Sequence, residues 1–370
     1  MLLYITVAAA TILIAALIKP QESPLQIKGS NQITRQQMLN IAALLFIFMI
    51  FFVVSAIRFE VGHDYNRHVW FMHLIYHNAY VPTEIGFNNL VSIVYAIFGY
   101  GNYLIVFALI AFITISLFLW SLYRDSENFW FSFILFTAFG YYFQSFNTVR
   151  YYLAVAIALF AIPYVLKKKW LQFILLILLG ATFHKSVLVV LPIYFLASLN
   201  WKKWMVLAAG LFCTTFLFLQ DFYLDLLVLV YPTYRDTEFL EAGTSIVNII
   251  RCSGILVFSL IYYRQAIKDN EQNRFYFYLN IGALILYTLC SFIPVISRIG
   301  YYLTITHIFF IPAIINRIDN KKQKMFFTIV TLLAAGLYFV MFLIKASDVG
   351  VRLLPYQTAL FNEMNPIWLE

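Results

Sequence analysis

Residues 170–200 read WLQFILLILLGATFHKSVLVVLPIYFLASLN, an apolar run broken near its middle by Gly180, His184 and Lys185. As one α-helix at 1.5 Å per residue it would measure about 46 Å, too long for a hydrocarbon core of about 30 Å. Read instead as two short arms meeting near His184, it enters the membrane and comes back. The flanks decide between these readings. Lys167, Lys168 and Lys169 precede the run and Lys202 and Lys203 follow it, and short cytoplasmic loops carry the excess of Lys and Arg. A single crossing would put the two clusters on opposite faces, whereas a hairpin puts both inside. The segment is therefore expected to be a broken hairpin, with Gly180 and Pro192 fitting bent arms that line a cavity.

The rest of the chain agrees with a membrane reading. Of its 370 residues 63% are apolar and 11% charged, with a mean hydropathy of +0.82, where a soluble chain carries roughly 25% charged residues. A soluble enzyme core, a secreted disulfide scaffold and a nucleic-acid binder are excluded; the net charge of +8 is a matter of topology, and no nucleic-acid partner is expected. Apolar windows fall at about 2–18, 39–57, 102–123, 129–145, 149–166, 203–220, 247–264, 275–294, 300–316 and 325–345. With the two arms of 170–200, the expected fold is all-α: a polytopic integral membrane bundle of about 12 membrane-embedded helices, residues 1–370 forming a single transmembrane domain. The run Leu2–Ile18 has neither a basic residue ahead of it nor a small-residue cleavage site after it, so it is expected to stay as the first span.

Orientation follows from the other basic loops, Lys19/Lys28/Arg35, Arg124, Arg264/Lys268/Arg274 and Arg317/Lys321/Lys322/Lys324. With these in the cytoplasm, both termini and the long loops at about 58–101 and 221–246 lie outside. Within the first loop, Leu90–Tyr100 is too short to span and reads as an extracytoplasmic half-helix at the outer leaflet. Cys213, Cys252 and Cys290 lack CxxC spacing and are read as buried membrane residues.

Nine cations then map to the outer face or the outer ends of helices: Arg58, Arg67, Arg150, Lys185, Arg235, Arg251, Arg298, Lys345 and Arg352. The positive-inside rule disfavours them there. Guanidinium groups clamp phosphate oxygens through paired hydrogen bonds, so a cavity holding several outer arginines suits a membrane-borne diphosphate. The competing reading pairs them with local acids such as Glu60, Asp64, Asp236 or Glu241, or with lipid headgroups.

The densest polar stretch is residues 58–87, RFEVGHDYNRHVWFMHLIYHNAYVPTEIGF. It holds Arg58, a tight turn of Gly62, His63, Asp64 and Tyr65, and Glu84 ahead of the half-helix. Asp64 and Glu84 are candidates for a general base or for orienting a sugar hydroxyl, or are solvated loop acids. His68, His73 and His77 lack an HExxH pattern, and no metal is expected. Asn147 and Arg150 stand one turn apart at the outer start of a span, so both can face one ligand, or Asn147 is an N-cap. His184, at the hairpin bend, is positioned to move a proton at neutral pH, with Lys185 beside it to hold phosphate; a structural hydrogen bond is its other reading. Arg298 repeats the motif of an arginine at an outer helix end followed by aromatics, Tyr301 and Tyr302, which are equally interface-belt residues.

Taken in order, R-x3-G-x-D-Y (Arg58, Gly62, Asp64, Tyr65), E-x-G-F (Glu84, Gly86, Phe87), N-x2-R-x2-L-A (Asn147, Arg150, Leu153, Ala154), F-H-x-S (Phe183, His184, Ser186) and S-R-x2-Y-Y (Arg298, Tyr301, Tyr302) resemble the EpsG-type, Wzy-like polysaccharide polymerases of bacteria. The likeness runs from about residue 40 to 310. Tyr151 stands where the family usually has Gln after the motif arginine. The resemblance implies a multi-pass glycosyltransferase of the bacterial cytoplasmic membrane with its active site facing outside. It would join oligosaccharide repeat units carried on undecaprenyl diphosphate, with inversion and without a cofactor, in exopolysaccharide, capsule or O-antigen synthesis. A chain-length regulator and a flippase would be its protein partners. His184, Arg150, Arg298 and Asp64 would be catalytic; Arg58, Tyr65, Glu84, Asn147, Lys185, Arg235, Arg251, Tyr301 and Tyr302 would bind substrate. The alternatives are an O-antigen-ligase-like transferase, which typically has a larger outer loop, and a non-enzymatic flippase, which needs polar groups at both faces.

Overall fold

A computed structural model describes residues 1–19, 34–230, 245–293 and 296–361. Among the described residues the regular structure is helical, with no strand and one isolated bridge between Arg58 and Thr358. The chain divides into two compact units, residues 1–163, 171–188 and 319–370 in the first and residues 164–170 and 189–318 in the second.

The first unit opens with α1 (Leu2–Ala15) and α2 (Arg35–Ala56), continues through α3 (Tyr65–Tyr76), α4 (Ile85–Phe98), α5 (Tyr103–Asp125), α6 (Phe129–Ala138), α7 (Tyr141–Gln144), α8 (Val149–Leu166) and α9 (Trp170–Ala181). The second unit holds α10 (Val190–Ala197), α11 (Lys203–Phe218), α12 (Gln220–Val230), α13 (Ile246–Ile261), α14 (Glu271–Leu289), α15 (Ile296–Thr304) and α16 (His307–Asn316), and α17 (Lys321–Lys345) returns to the first.

Local sequence explains the boundaries. Thr34 and Gln37 form a reciprocal capping box at the start of α2, satisfying donors that a helix N-terminus leaves open. Asn128, Asn270 and Asn320 cap α6, α14 and α17 with their side-chain carbonyls. Gly140, at φ 75°, stops α6 in a left-handed conformation that costs glycine little. α8 ends in the Lys167–Lys169 cluster, where Lys168 takes a left-handed φ of 56° and the Lys169 N–H returns to the Tyr164 carbonyl at 2.8 Å. Cations at that end also favour the helix dipole.

Among the described residues five helices are long and apolar enough to cross a membrane: 35–56, 103–125, 149–166, 298–316 and 321–345. A sixth forms if the bent pair 203–218 and 220–226 is one span. Of the other expected crossings, α1, α6, α9, α10 and α13 are shorter apolar helices, and the one expected at 275–294 lies on α14, which is not among the helices apolar enough to cross. The described residues thus hold five or six spans of full length against the about 12 membrane-embedded helices expected. Several apolar helices of this kind make a multi-pass membrane protein. α17 exposes Phe326, Leu333 and Leu337 as a lipid-facing helix does, whereas α8 keeps Leu153, Ala154, Val155, Ala156 and Leu159 buried.

The run 170–200 is broken where the sequence places the break. α9 stops at Ala181, His184 follows, and a 3₁₀ turn over Lys185–Val189 leads into α10. The outer loop 58–101 contains both α3 and the half-helix, which begins earlier than expected, at Ile85. Residues 220–230, expected at the start of the second outer loop, are helical.

Candidate functional site

Apolar packing sets the frame of the first unit. Tyr65, Val69 and Met72 of α3, Phe87 and Val91 of α4, Val106 and Phe107 of α5 and Val149 and Leu153 of α8 share one buried cluster. Each aromatic or large aliphatic side chain so buried contributes about 1.5–3 kcal/mol. The N-termini of α4 and α8 are thereby fixed beside one another, and the polar motif residues sit on that rim.

Glu84 immediately precedes α4. One carboxylate oxygen pairs with Nη1 of Arg150, and the other accepts the Lys185 backbone N–H at 3.1 Å. Three parts of the chain, the loop before α4, the start of α8 and the break after α9, thus meet at one acidic side chain. Gly86 closes the join. Its N–H donates to the Thr182 carbonyl at 2.8 Å, and a Cβ there would stand 2.8 Å from both Thr182 Cβ and that carbonyl oxygen. Arg150 also stacks over the Phe87 ring at 5.2 Å, so E-x-G-F contributes a carboxylate, a close approach and a cation–π face.

The histidine stands at the break itself. His184 Nδ1 lies 2.7 Å from Ser186 Oγ, and its ring meets Tyr151 edge-on at 5.4 Å. With the proton on Nδ1, Ser186 accepts it and Nε2 keeps its lone pair. His184 is half-buried and the Lys185 side chain exposed.

Asn147 joins the HDY turn to this cluster. Its side-chain carbonyl accepts the Asp64 N–H at 2.9 Å, which connects α8's approach to the turn before α3. Gly62, at φ 103°, permits the contact, because a Cβ there would lie 2.8 Å from Asn147 Cα. His68 Nδ1 lies 2.6 Å from the Asp64 carbonyl oxygen. Burial first, and then the charge of Arg150, push the His68 imidazole down to about 3, so it is neutral at physiological pH and holds the turn as a hydrogen-bond donor.

The structure therefore brings Asp64, Glu84, Asn147, Arg150, His184 and Lys185 together on one rim. Arg58 and Tyr65 are placed differently. Arg58 is 1% exposed; Nη1 donates to the Ser55 carbonyl and lies 3.2 Å from Ser55 Oγ, and the guanidinium sits 4.9 Å from the Phe107 ring centroid and 5.3 Å from that of Phe146. Tyr65 is also buried, its hydroxyl 3.4 Å from the Arg58 carbonyl oxygen.

In the second unit, Arg298 and Tyr301 are half-buried on α15, Tyr302 is buried with its carbonyl accepting the Tyr194 hydroxyl at 2.7 Å, and Arg251 is half-buried on α13. Gly300 makes room on α15 for the Tyr287 ring, which a Cβ would overlap. Arg235 lies outside the described residues, as do Asp236 and Glu241.

Two features escape the sequence reading. Ser186 as the partner of His184 was visible only as the last letter of a motif. The second is a strap from the C-terminal region. The Gly62 N–H donates to Arg352 O at 2.8 Å, the His63 N–H to Val351 O at 3.1 Å and the Phe59 N–H to Gln357 O at 2.9 Å, while Arg352 pairs with Glu60 at 3.5 Å. No pattern in the sequence joins segments nearly three hundred residues apart.

Compared with known proteins, the chain matches the family model described as the EpsG family over residues 41–358. No curated protein and no solved structure matches it.

Proposed function

Since the chain belongs to the EpsG family, whose members have a polysaccharide-polymerase-type role, we propose that it joins undecaprenyl-diphosphate-linked oligosaccharide repeat units on the extracytoplasmic face. The observation that carries this reading is the convergence of Arg150, Glu84 and the His184 break on one rim. A half-buried guanidinium, an imidazole with an orienting hydroxyl, and exposed Lys185 are what transfer from a lipid diphosphate requires.

In the proposed reaction Arg150 exchanges its Glu84 partner for donor phosphate oxygens and stabilises the charge that develops on them. Lys185 adds a second cation. His184 Nε2 takes the proton of the acceptor hydroxyl, whose oxygen attacks the anomeric carbon of the growing chain. The bond from that carbon to the diphosphate breaks, the configuration inverts, and undecaprenyl diphosphate leaves with the bonding pair. Asp64 and Asn147 orient sugar hydroxyls beside the turn that His68 holds. Arg298, Arg251 and Arg235, with Tyr301, are assigned to the remaining lipid-linked substrate, whereas Tyr302 is enclosed and serves to pack α15. Arg58 and Tyr65 act by fixing the HDY turn, since their side chains are enclosed.

The test is deletion and complementation with surface glycans resolved by size. The intact protein should restore long chains, and Arg150→Ala and Arg298→Ala, at normal protein level, should leave single repeat units. Full polymer length in both variants would overturn the assignment. Failure of any repeat unit to reach the outer face in the deletion strain would turn the reading to transport.

A further inference from the structure

The turn before α3 is held by the strap that follows α17. The strap begins in a compact turn, in which the N–H groups of Val351 and Arg352 donate to the Asp348 carbonyl and those of Leu353 and Leu354 to that of Ala346. It is anchored on the first two helices. The Tyr4 hydroxyl of α1 donates to Leu353 O at 2.7 Å, the Tyr356 hydroxyl to Val54 O of α2 at 2.8 Å, and the Ala359 N–H to Ile57 O at 2.8 Å. From this base it accepts the N–H groups of Phe59, Gly62 and His63. Arg352 holds the turn twice, its carbonyl taking the Gly62 N–H at 2.8 Å and its guanidinium lying 3.5 Å from the Glu60 carboxylate.

That ion pair is ill suited to stabilising the fold. At 52% side-chain exposure for Arg352 and 28% for Glu60, solvent screens it, and pairs so exposed contribute little. Its two residues also stand in backbone conformations that L side chains disfavour. Among the described residues four other than glycine have a positive φ, and Glu60, at 52°, and Arg352, at 47°, are two of them. Glycine would take either place without that cost. Backbone outliers of this kind point to a functional constraint, and here the two outliers are the two partners of one contact. What the contact bears on lies four residues beyond Glu60. The turn meets the strap through the Gly62 N–H and Asn147 through the Gly62 Cα, where there is no room for a Cβ, and the next N–H but one, that of Asp64, donates to the Asn147 side chain at 2.9 Å. A shift of Glu60 is therefore passed through Gly62 to Asp64, which is half-buried.

We propose that Glu60 and Arg352 are positioning residues of the candidate site: their ion pair fixes the HDY turn, and with it the Asp64 carboxylate that meets the sugar hydroxyls of the lipid-linked unit. Neither residue touches substrate; both act through Asp64. The assignment rests on the proposed function for the identity of the substrate, and goes beyond it in giving the strap a part in binding.

The test compares the full chain in lipid nanodiscs with Arg352→Gly, Arg352→Lys and the charge reversal that combines Glu60→Arg with Arg352→Glu. Hydrogen–deuterium exchange over residues 57–65 reports the turn, and polymerisation of lipid-linked repeat units reports the site. Arg352→Gly removes the pair and the strained side chain together, so thermal unfolding should be nearly unchanged. Exchange at Phe59, Gly62 and His63 should rise about tenfold. KM for the lipid-linked unit should rise about fivefold with kcat little moved, the signature of lost binding. Lysine and the charge reversal should recover most of both. Unchanged exchange would overturn the assignment, as would raised exchange with an unmoved KM, or a loss of activity that only follows a loss of stability. An inactive parent would instead count against the polymerase, and the exchange measurements would still decide whether the pair holds the turn.

Discussion

Glu84 and Arg150, sixty-six residues apart, form a half-buried ion pair in which the second carboxylate oxygen also receives the Lys185 N–H at 3.1 Å. The acid is thus both a placeholder for an anion on the arginine and the clasp that holds the His184 break against α8. Exposed ion pairs contribute about 0–1 kcal/mol, and removing one partner of a fully buried pair costs about 3–5 kcal/mol. At 12% and 15% side-chain exposure, Glu84→Ala should cost about 2 kcal/mol, read as a lowered midpoint in denaturant unfolding of the purified protein. Arg150→Lys keeps a charge but not the paired geometry; it should retain most of the stability and lose polymer synthesis. Equal loss of stability and activity in both variants would reduce the pair to scaffolding.

The glycines of the two motifs differ in kind from those elsewhere. Gly86→Ala drives a methyl group into Thr182, and Gly62→Ala combines a contact on Asn147 with a φ of 103°. Each should destabilise by about 1–3 kcal/mol, as overpacking does. Gly254 in α13 has nothing within 4 Å of its would-be Cβ. Gly254→Ala should therefore stabilise by up to about 1 kcal/mol through helix propensity. Thermal unfolding of the three variants gives the comparison, and a Gly86→Ala protein as stable as the parent would mean that α4 is not seated on Thr182.

What was legible in the sequence was what local patterns carry. The break at His184 followed from the length of an apolar run and the charges flanking it. Helical spacing placed Arg150 but not Asn147, which lies in the turn before α8 begins at Val149 and accepts the Asp64 N–H instead. Glu84 was visible as an acid, but its partners were not, because the pairing depends on α4 and α8 being packed through Phe87, Val91, Val149 and Leu153. Arg58 shows the same limit. By charge and position it looked like the other outer arginines, and only the tertiary placement of Phe107 and Phe146 encloses it. The strap over Gly62 was invisible because it is held by backbone groups that any sequence supplies.

Stability should fall with acid through His68. Its folded-state value near 3 lies below the ordinary 6.5, so between these values the unfolded chain binds the proton and the folded chain does not. The stabilisation is complete above about pH 6.5 and is lost progressively as pH falls towards 3, at up to about 1.4 kcal/mol per pH unit. His68→Gln removes the titrating group and should flatten the curve of unfolding midpoint against pH between 4 and 6.5. An unchanged slope in the variant would assign the acid sensitivity to another group.

The contact between His184 and Ser186 makes the last prediction a question of tautomer. If Ser186 fixes the proton on Nδ1, the basic nitrogen is Nε2 and faces the acceptor. His184→Ala should then lower the polymerisation rate by about 10²–10⁴-fold, the range of a positioned general base. Ser186→Ala leaves the imidazole in place and removes only its orientation, so a loss of about tenfold is expected, with the acid limb of the rate–pH profile displaced. Ser186→Thr preserves the hydroxyl and should recover most of the rate. Both measurements need the purified protein, lipid-linked repeat units and a size-resolved product. A His184→Ala enzyme of undiminished rate would remove the imidazole from the chemistry and leave it a hydrogen-bonding element of the break.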